Sequence, residues 1–465
     1  MSQQDIETLS APLTLPCGVI LKNRLGKAPL TELLADARTN LPNERHFNVY
    51  RRWARGGYGL IVTGNVQVDR KAMEASRNVA IERQDEKDME LYIRYAKAAK
   101  ENGARALAQL NHAGRQTPRA VNPRPKAPSD VKLSLKGIPP ALVSTPIAMT
   151  TEEVQQVRDR FIAAAGFCQK AGFDGVQIHA AHGYLISQFL NPHVNVSRTD
   201  QYGGPLENRM QLLKEIVEGV RSLCGPGFIV SVKLNSSDFQ KHGASEQDNI
   251  LVLEMLEQSL CDFVEVSGGS YEAPALLGHV KKESTKKREA YFLDFASEAR
   301  KTVKKMPLMI TGGFRTRSVM AEAIRSGDAD LIGLGRPVCL HPEIAVALLS
   351  NPYKTFTVPS PKIDWDQVRT ETPMIGNGES LWYSAQIHRL ADGMEPDEEM
   401  APIYFTMVWA PRQLVYEPAT FFPTNVVWAL AWPVKKAHHV FRLTLAAGVV
   451  AAATATGILV SRNRA

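Results

Sequence analysis

Two imidazoles and a phenol stand within one short stretch of this chain, HAAHGYL at residues 179 to 185. His179, His182 and Tyr184 follow an apolar, strand-like run, Gly175-Val176-Gln177-Ile178, where a strand meets a loop. Two neutral imidazoles three residues apart can both donate hydrogen bonds to one carbonyl oxygen. A phenol beside them can deliver a proton to a carbon that is becoming an enolate. Together they could polarise an unsaturated carbonyl compound. Read alone, the HxxH pair equally suits a metal or two satisfied buried histidines, and the rest of the chain must decide.

The surrounding sequence alternates short β-branched or apolar runs with helical stretches from about residue 20 to 350. The strand candidates are Leu25–Leu30, Gly59–Val66, Ala104–Leu110, Gly175–His179, Phe228–Leu234, Phe263–Ser267, Leu308–Gly312 and Leu331–Gly335. Helical stretches between them include Glu86–Asn102, Thr151–Ala171, Pro205–Leu223 and Ser318–Ser326. Thr150 or Thr151 before Glu152-Glu153 is a helix start, and Gly172 a stop. Eight strands alternating with helices imply parallel pairing, and the count favours a closed TIM (β/α)8 barrel over an open sheet. No GxGxxG follows the first strand, against a dinucleotide-binding open sheet.

In such a barrel, chemistry sits where strands end in loops. Asn65 ends the second candidate, Gln109 falls within the third, and His179 and His182 flank the end of the fourth. Lys233 lies in the fifth. Gly312-Gly313 ends the seventh and Gly335-Arg336 the eighth. Glycine turns opening helices after the last two strands can cradle a phosphate on backbone N–H groups, with the guanidinium gripping it.

Composition sets outer limits. At 465 residues the chain suits one large α/β barrel with additions. The formal charge of +7 is modest, and the basic run Lys281-Lys282 with Lys286-Lys287-Arg288 has no interleaved aromatics, so no nucleic-acid partner is expected. Five scattered cysteines, without a CxxC pair, argue against iron–sulfur or zinc sites and fit a reducing, cytosolic setting. The polar N-terminus, MSQQDIETLS, does not read as a secretory signal.

Six ordered motifs are NRLGKAPLT (Asn23–Thr31), QLNHAGR (Gln109–Arg115), HAAHGYL, RTDQYGGPLENR (Arg198–Arg209), TGGFRT (Thr311–Thr316) and DLIGLGRP (Asp330–Pro337). With them the chain resembles the old yellow enzyme family, the NADH:flavin oxidoreductase/NADH oxidase family, over roughly residues 10 to 350. It is most similar to the bacterial-type branch and its fungal relatives, whose second imidazole is histidine rather than asparagine. The resemblance implies a TIM barrel with FMN across its C-terminal mouth. Ala28, Pro29, Leu30 and Thr31 would line the flavin, with Thr31 near O4. Gly64 would sit beside the ring and Gln109 on its pyrimidine edge. Gly312, Gly313, Gly335 and Arg336 would hold the ribityl phosphate. His179 and His182 would grip the substrate carbonyl, and Tyr184 would give the proton. Two positions depart from the pattern. Lys233 replaces the usual arginine near flavin N1 and O2, keeping charge but losing the two-pronged geometry. Leu33 replaces a tyrosine that bacterial-type members carry after the first strand.

The activity implied is an ene-reductase: NADH or NADPH reduces the flavin, which reduces the activated C=C bond of an enone-type substrate in turn. The resemblance leaves room for work in fungal secondary metabolism. It also leaves two alternatives, a related flavin dehydrogenase or desaturase running in reverse, and an inactive membrane-bound interaction module. Oligomeric state is left open.

By this reading residues 10–355 form the barrel, 356–400 an extension packed on it, and 401–465 an aromatic and apolar tail. Pro359–Trp365 reads as linker. The tail carries Tyr404, Phe405, Trp409, Phe421, Phe422, Trp428 and Trp432. Leu443–Val460 is eighteen residues without a charge, flanked by Lys435, Lys436 and Arg442 and by Arg462 and Arg464. As a helix it would measure about 27 Å, near the roughly 30 Å hydrocarbon core. A C-terminal transmembrane tail anchor is the expectation, with a buried or surface-lying helix as its rival.

Overall fold

The computed structural model describes residues 2–82, 85–134, 143–237, 243–268, 292–350, 357–359, 363–364, 368 and 379–401. Its centre is a closed ring of eight parallel strands. In chain order they are β1 (Leu25–Lys27), β2 (Leu60–Gln67), β3 (Arg105–Asn111), β4 (Gly175–Ala180), β5 (Ile229–Asn235), β6 (Phe263–Ser267), β7 (Leu308–Thr311) and β8 (Leu331–Leu334). Each pairs with its sequence neighbours, and β1 closes the ring by pairing with both β2 and β8, at Gly26↔Leu60 and Ile332↔Leu25.

Local chemistry explains where strands end. The first candidate stops early because Pro29 has no N–H to continue the ladder, and Ala28 makes the last bond, to the Leu334 carbonyl at 2.9 Å. β2 runs on to Gln67 through a register shift between Val62 and Asn65. The helix Thr151–Lys170 begins on a capping box of Thr150 and Glu153, and Gly172 follows its end with φ +85°. The stretch Pro205–Leu223 resolves into two helices, Leu206–Arg209 and Gln211–Cys224.

Alternation along the strands sorts the barrel interior by height. Its lower half is apolar: Leu60, Val62, Leu107, Ile229, Phe263, Met309 and Leu331 pack together with Ala28. The N-terminal hairpin Leu13–Thr14/Ile20–Leu21 adds Leu15 and Leu21 to this cluster, closing the floor. Two residues further along β3 and β6 the same face turns polar, at Gln109 and Glu265, and Gln177 of β4 and Lys233 of β5 join them, all buried. The mouth is therefore built by strand period, on a dry floor.

The helix Glu379–Ala391 packs on Glu44–Arg55, where Arg45 meets Asp392 at 2.7 Å. Ser384 donates to the Thr31 carbonyl at 3.2 Å, and His388 Nε2 lies 2.9 Å from the Glu32 carbonyl. This part of the extension thus reaches the loop after β1. Of the linker reading Pro359–Trp365, only residues 359 and 363–364 are described. The basic run from Lys281, the aromatic tail and Leu443–Val460 lie outside the described residues. Among the described residues no helix is long and apolar enough to cross a membrane.

Candidate active site

β4 carries His179 in its last turn of ladder, and the chain then bends sharply. His182 sits in the left-handed region at φ +61°, followed by Gly183 at +77°. For a residue with a Cβ this costs about 1–2 kcal/mol. Asn235 accepts from the His182 N–H at 3.2 Å and Gln116 donates to its carbonyl at 2.7 Å, holding the bend. The bend returns the rings toward one another. His179 lies 5.1 Å from His182 and 4.8 Å from Tyr184, centroid to centroid, both edge to face.

Hydrogen bonds constrain the tautomers. The Ala181 N–H donates to His179 Nδ1 at 3.2 Å, so the ring proton of a neutral His179 is on Nε2. His182 Nε2 lies 3.1 Å from the Ser267 hydroxyl. Burial holds both imidazoles well below the usual histidine range, helped at His179 by its partner histidine and at both by the charge of Lys233. They are neutral donors near neutral pH. Among the described residues no group of three or more His, Cys, Asp or Glu could hold a metal ion.

Beneath the histidines a polar chain crosses four strands. Gln109 donates to Gln177 at 2.7 Å, Gln177 to Glu265 at 3.0 Å, and Lys233 to Glu265 at 2.8 Å. The strand register produces it, with Gln109 opposite Gln177 and Lys233 between His179 and Glu265. Lys233, where the resemblance expects a cation beside the flavin, is therefore already paired with a fully buried carboxylate.

The opposite wall comes from the loop after β1 and the bulge of β2. Gly64 N–H donates to Glu32 at 2.8 Å and to the Tyr50 hydroxyl at 2.9 Å, and Tyr50 itself donates to Glu32. A Cβ at Gly64 would lie 2.2 Å from the Leu30 carbonyl, so nothing larger than glycine fits this backbone. Leu33 is buried with φ +59°. The Thr31 hydroxyl donates to Glu74, as do Asn65 and Tyr184, and Asn78 approaches at 3.5 Å.

On the third side Gly312 and Gly313 take φ of +130° and +84°. Among the described residues, only Leu30 comes within 4 Å of a Cβ on Gly335, at 3.9 Å. Arg336 follows, half exposed, donating to Glu379 at 2.7 Å. Asn65 Oδ1 and Thr311 Oγ1 are buried without a hydrogen-bond partner. Glycine turns, an accessible guanidinium, unsatisfied polar atoms at the strand ends and an apolar strip of Ala28, Pro29 and Leu30 fit a planar, polar-edged ring with a phosphate.

The site thus gathers Tyr184, His179 and His182, the Gln109 and Lys233 row below, and the Thr31 and Gly64 wall beside it. Sequence reasoning missed Glu74, Gln177, Glu265, Glu32 and Ser267. For Gln177 and Glu265 a signal existed, since each is a polar residue at an inward position of an apolar strand, GVQIHA and FVEVS. Glu74 lies in a loop without periodicity and offered none.

The sequence profile of the NADH:flavin oxidoreductase / NADH oxidase family matches residues 8–354. The chain is 36% identical over 375 residues to the NADH-dependent flavin oxidoreductase iliE of Hypocrea jecorina (strain QM6a), covering 76% of this chain and 93% of that protein. Its fold is similar to that of the old yellow enzyme homologue from Zymomonas mobilis, with TM-score 0.62 and 28% identity, covering 75% of this chain and 94% of that one. A 2-naphthoyl-CoA reductase complex shares the fold at TM-score 0.69 and 24% identity, and this chain spans 54% of that longer protein. The chain belongs to the NADH:flavin oxidoreductase / NADH oxidase family, with FMN as cofactor and NAD(P)H as electron donor.

Proposed function

We propose that this protein is an ene-reductase, using NAD(P)H to reduce the C=C bond of an α,β-unsaturated carbonyl compound. The observation that carries this reading is the pair of neutral imidazoles beside a phenol, with His179 at 5.1 Å from His182 and 4.8 Å from Tyr184.

Gly312, Gly313, Gly335 and Arg336 would hold the FMN phosphate, Ala28 to Thr31 and Gly64 its ring, and Gln109 and Lys233 its polar edge. When bound, the flavin supplies the hydride for the β-carbon. The chain supplies the rest. His179 Nε2–H and the second imidazole hold the substrate oxygen, and each donor aimed at developing negative charge contributes on the order of 3 kcal/mol. Neutral rings suit this role, since they donate without giving up a proton. Tyr184 moves its hydroxyl proton to the α-carbon. The apolar floor keeps water from below, which strengthens these contacts.

The test is an anaerobic reaction of the NADH-reduced protein with 2-cyclohexenone. Re-oxidation of the flavin with an equal amount of cyclohexanone formed is expected. A reduced flavin indifferent to the enone, or an oxidised flavin bleached by the saturated ketone, overturns the reading. We also propose a membrane-held tail, on the sequence of the uncharged run Leu443–Val460 between basic flanks, which lies outside the described residues.

A further inference from the structure

Glu74 is partly buried in the loop after β2, and among the described residues no cation pairs with it. Its neighbours are neutral: Thr31 from the loop after β1, Asn65 from β2, Asn78 from its own loop and Tyr184 from the turn after β4. Among the described residues the titratable group facing it is Tyr184, with His179 and His182 behind that phenol. A lone carboxylate in such a place is costly unless it is protonated or richly hydrogen-bonded.

We propose that Glu74 is a positioning residue acting through Tyr184, the carboxyl that restores the phenol's proton after each transfer to substrate. The inference rests on the ene-reductase reading. In the transfer, the Tyr184 O–H bond breaks and a C–H bond forms at the α-carbon, leaving a phenolate. The Glu74 O–H bond then breaks and the phenol O–H re-forms, leaving a carboxylate. That carboxylate recovers its proton from solvent water, so one solvent proton enters for each one delivered. Electrons for the reduction come from NAD(P)H and do not pass through these groups.

The direction follows from acidity. A carboxylic acid protonates a phenolate downhill, because a phenol is ordinarily the weaker acid by several pH units. Burial, the largest influence on Glu74, raises it from the ordinary carboxylate value against the pull of its four hydrogen-bonding neighbours, which shifts its balance toward the protonated form. When Glu74 is protonated, the phenol oxygen can accept from it and turn its own hydrogen outward to substrate. When it is ionised, it accepts from Tyr184 and keeps that hydrogen back. The oxidative half-reaction should therefore fall as pH rises through the Glu74 titration.

The holoenzyme with Glu74→Gln and Glu74→Asp tests this, using 2-cyclohexenone and stopped-flow traces across the pH range in which the protein stays folded. Wild type should lose rate toward high pH. E74Q should be at least about tenfold slower with the enone, lack that limb, and keep its rate of reduction by NADH. E74D should recover the limb. Separately, tyrosinate absorbance, with a Tyr184→Phe baseline, should show Tyr184 ionising about one pH unit lower or more in E74Q, because a neighbouring negative charge is gone. A limb that survives in E74Q, or a Tyr184 titration that does not move, overturns the role. If wild type reduces no enone, the ene-reductase reading fails, while the Tyr184 titration still decides whether Glu74 governs the phenol. Glu74→Ala, which also removes the carboxyl, serves for both measurements should E74Q not fold.

Discussion

Arg336 donates to Glu379 across 2.7 Å, joining the guanidinium after β8 to the first residue of a helix that the barrel itself does not require. A carboxylate on the residue suited to the FMN phosphate competes with that phosphate for one cation. Arg336→Ala should weaken FMN binding about tenfold or more, the scale of a charge-assisted hydrogen bond, with little loss of folding stability. Glu379→Gln should do the reverse, tightening FMN a few-fold at low salt. Flavin fluorescence during dialysis reads both, and opposite signs are the required result.

Lys233 and Glu265 form a buried pair at 2.8 Å, so neither tolerates loss of the other. Lys233→Met should destabilise by about 3–5 kcal/mol, since Glu265 is left charged in a dry barrel. Adding Glu265→Leu should recover much of that. Urea unfolding of the single and double variants checks it, and additive losses would mean the two do not interact.

Tyr184→Phe should leave reduction by NAD(P)H nearly intact and slow enone turnover by about 10²–10⁴-fold. His179→Ala removes a neutral donor and should instead weaken binding of phenols and carbonyl ligands. Rapid-mixing kinetics of the separate half-reactions and ligand-induced changes in the flavin spectrum distinguish these outcomes. Equal slowing of both halves by Y184F would remove Tyr184 from its role.

Burial depresses the titration of His46 to about 3 and His112 to about 4, and holds His179, His182 and His388 well below the usual range. Unfolded, each takes up a proton near pH 6.5; folded, it does not. Below that pH the unfolded chain binds more protons, so stability falls with acidity, by up to about 1.4 kcal/mol per pH unit for each such histidine. The urea midpoint should drop steeply between about pH 6.5 and pH 5, and a flat midpoint there would refute the burial of these rings.

Truncation before Lys435 should release the protein from membranes if Leu443–Val460 holds it there. Fractionation of full-length and shortened protein after a low-salt wash reads the outcome. Full-length protein found wholly in the soluble fraction ends the idea.

What the chain alone determined is local. The HxxHxY spacing is readable because one strand end and one turn carry all three side chains. The barrel is readable because eight apolar runs of strand length alternate with helices, and Thr150 with Glu153 marks a helix start by a capping box of adjacent residues. Tertiary structure decided whatever depends on closure of the ring. Gln109, Gln177, Glu265 and Lys233 meet because parallel register sets Gln109 opposite Gln177 and Lys233 opposite Glu265, and no short-range pattern encodes that register. Glu74 meets Thr31 across 43 residues and Tyr184 across 110, and only packing of three loops over the mouth makes a loop glutamate the neighbour of a phenol.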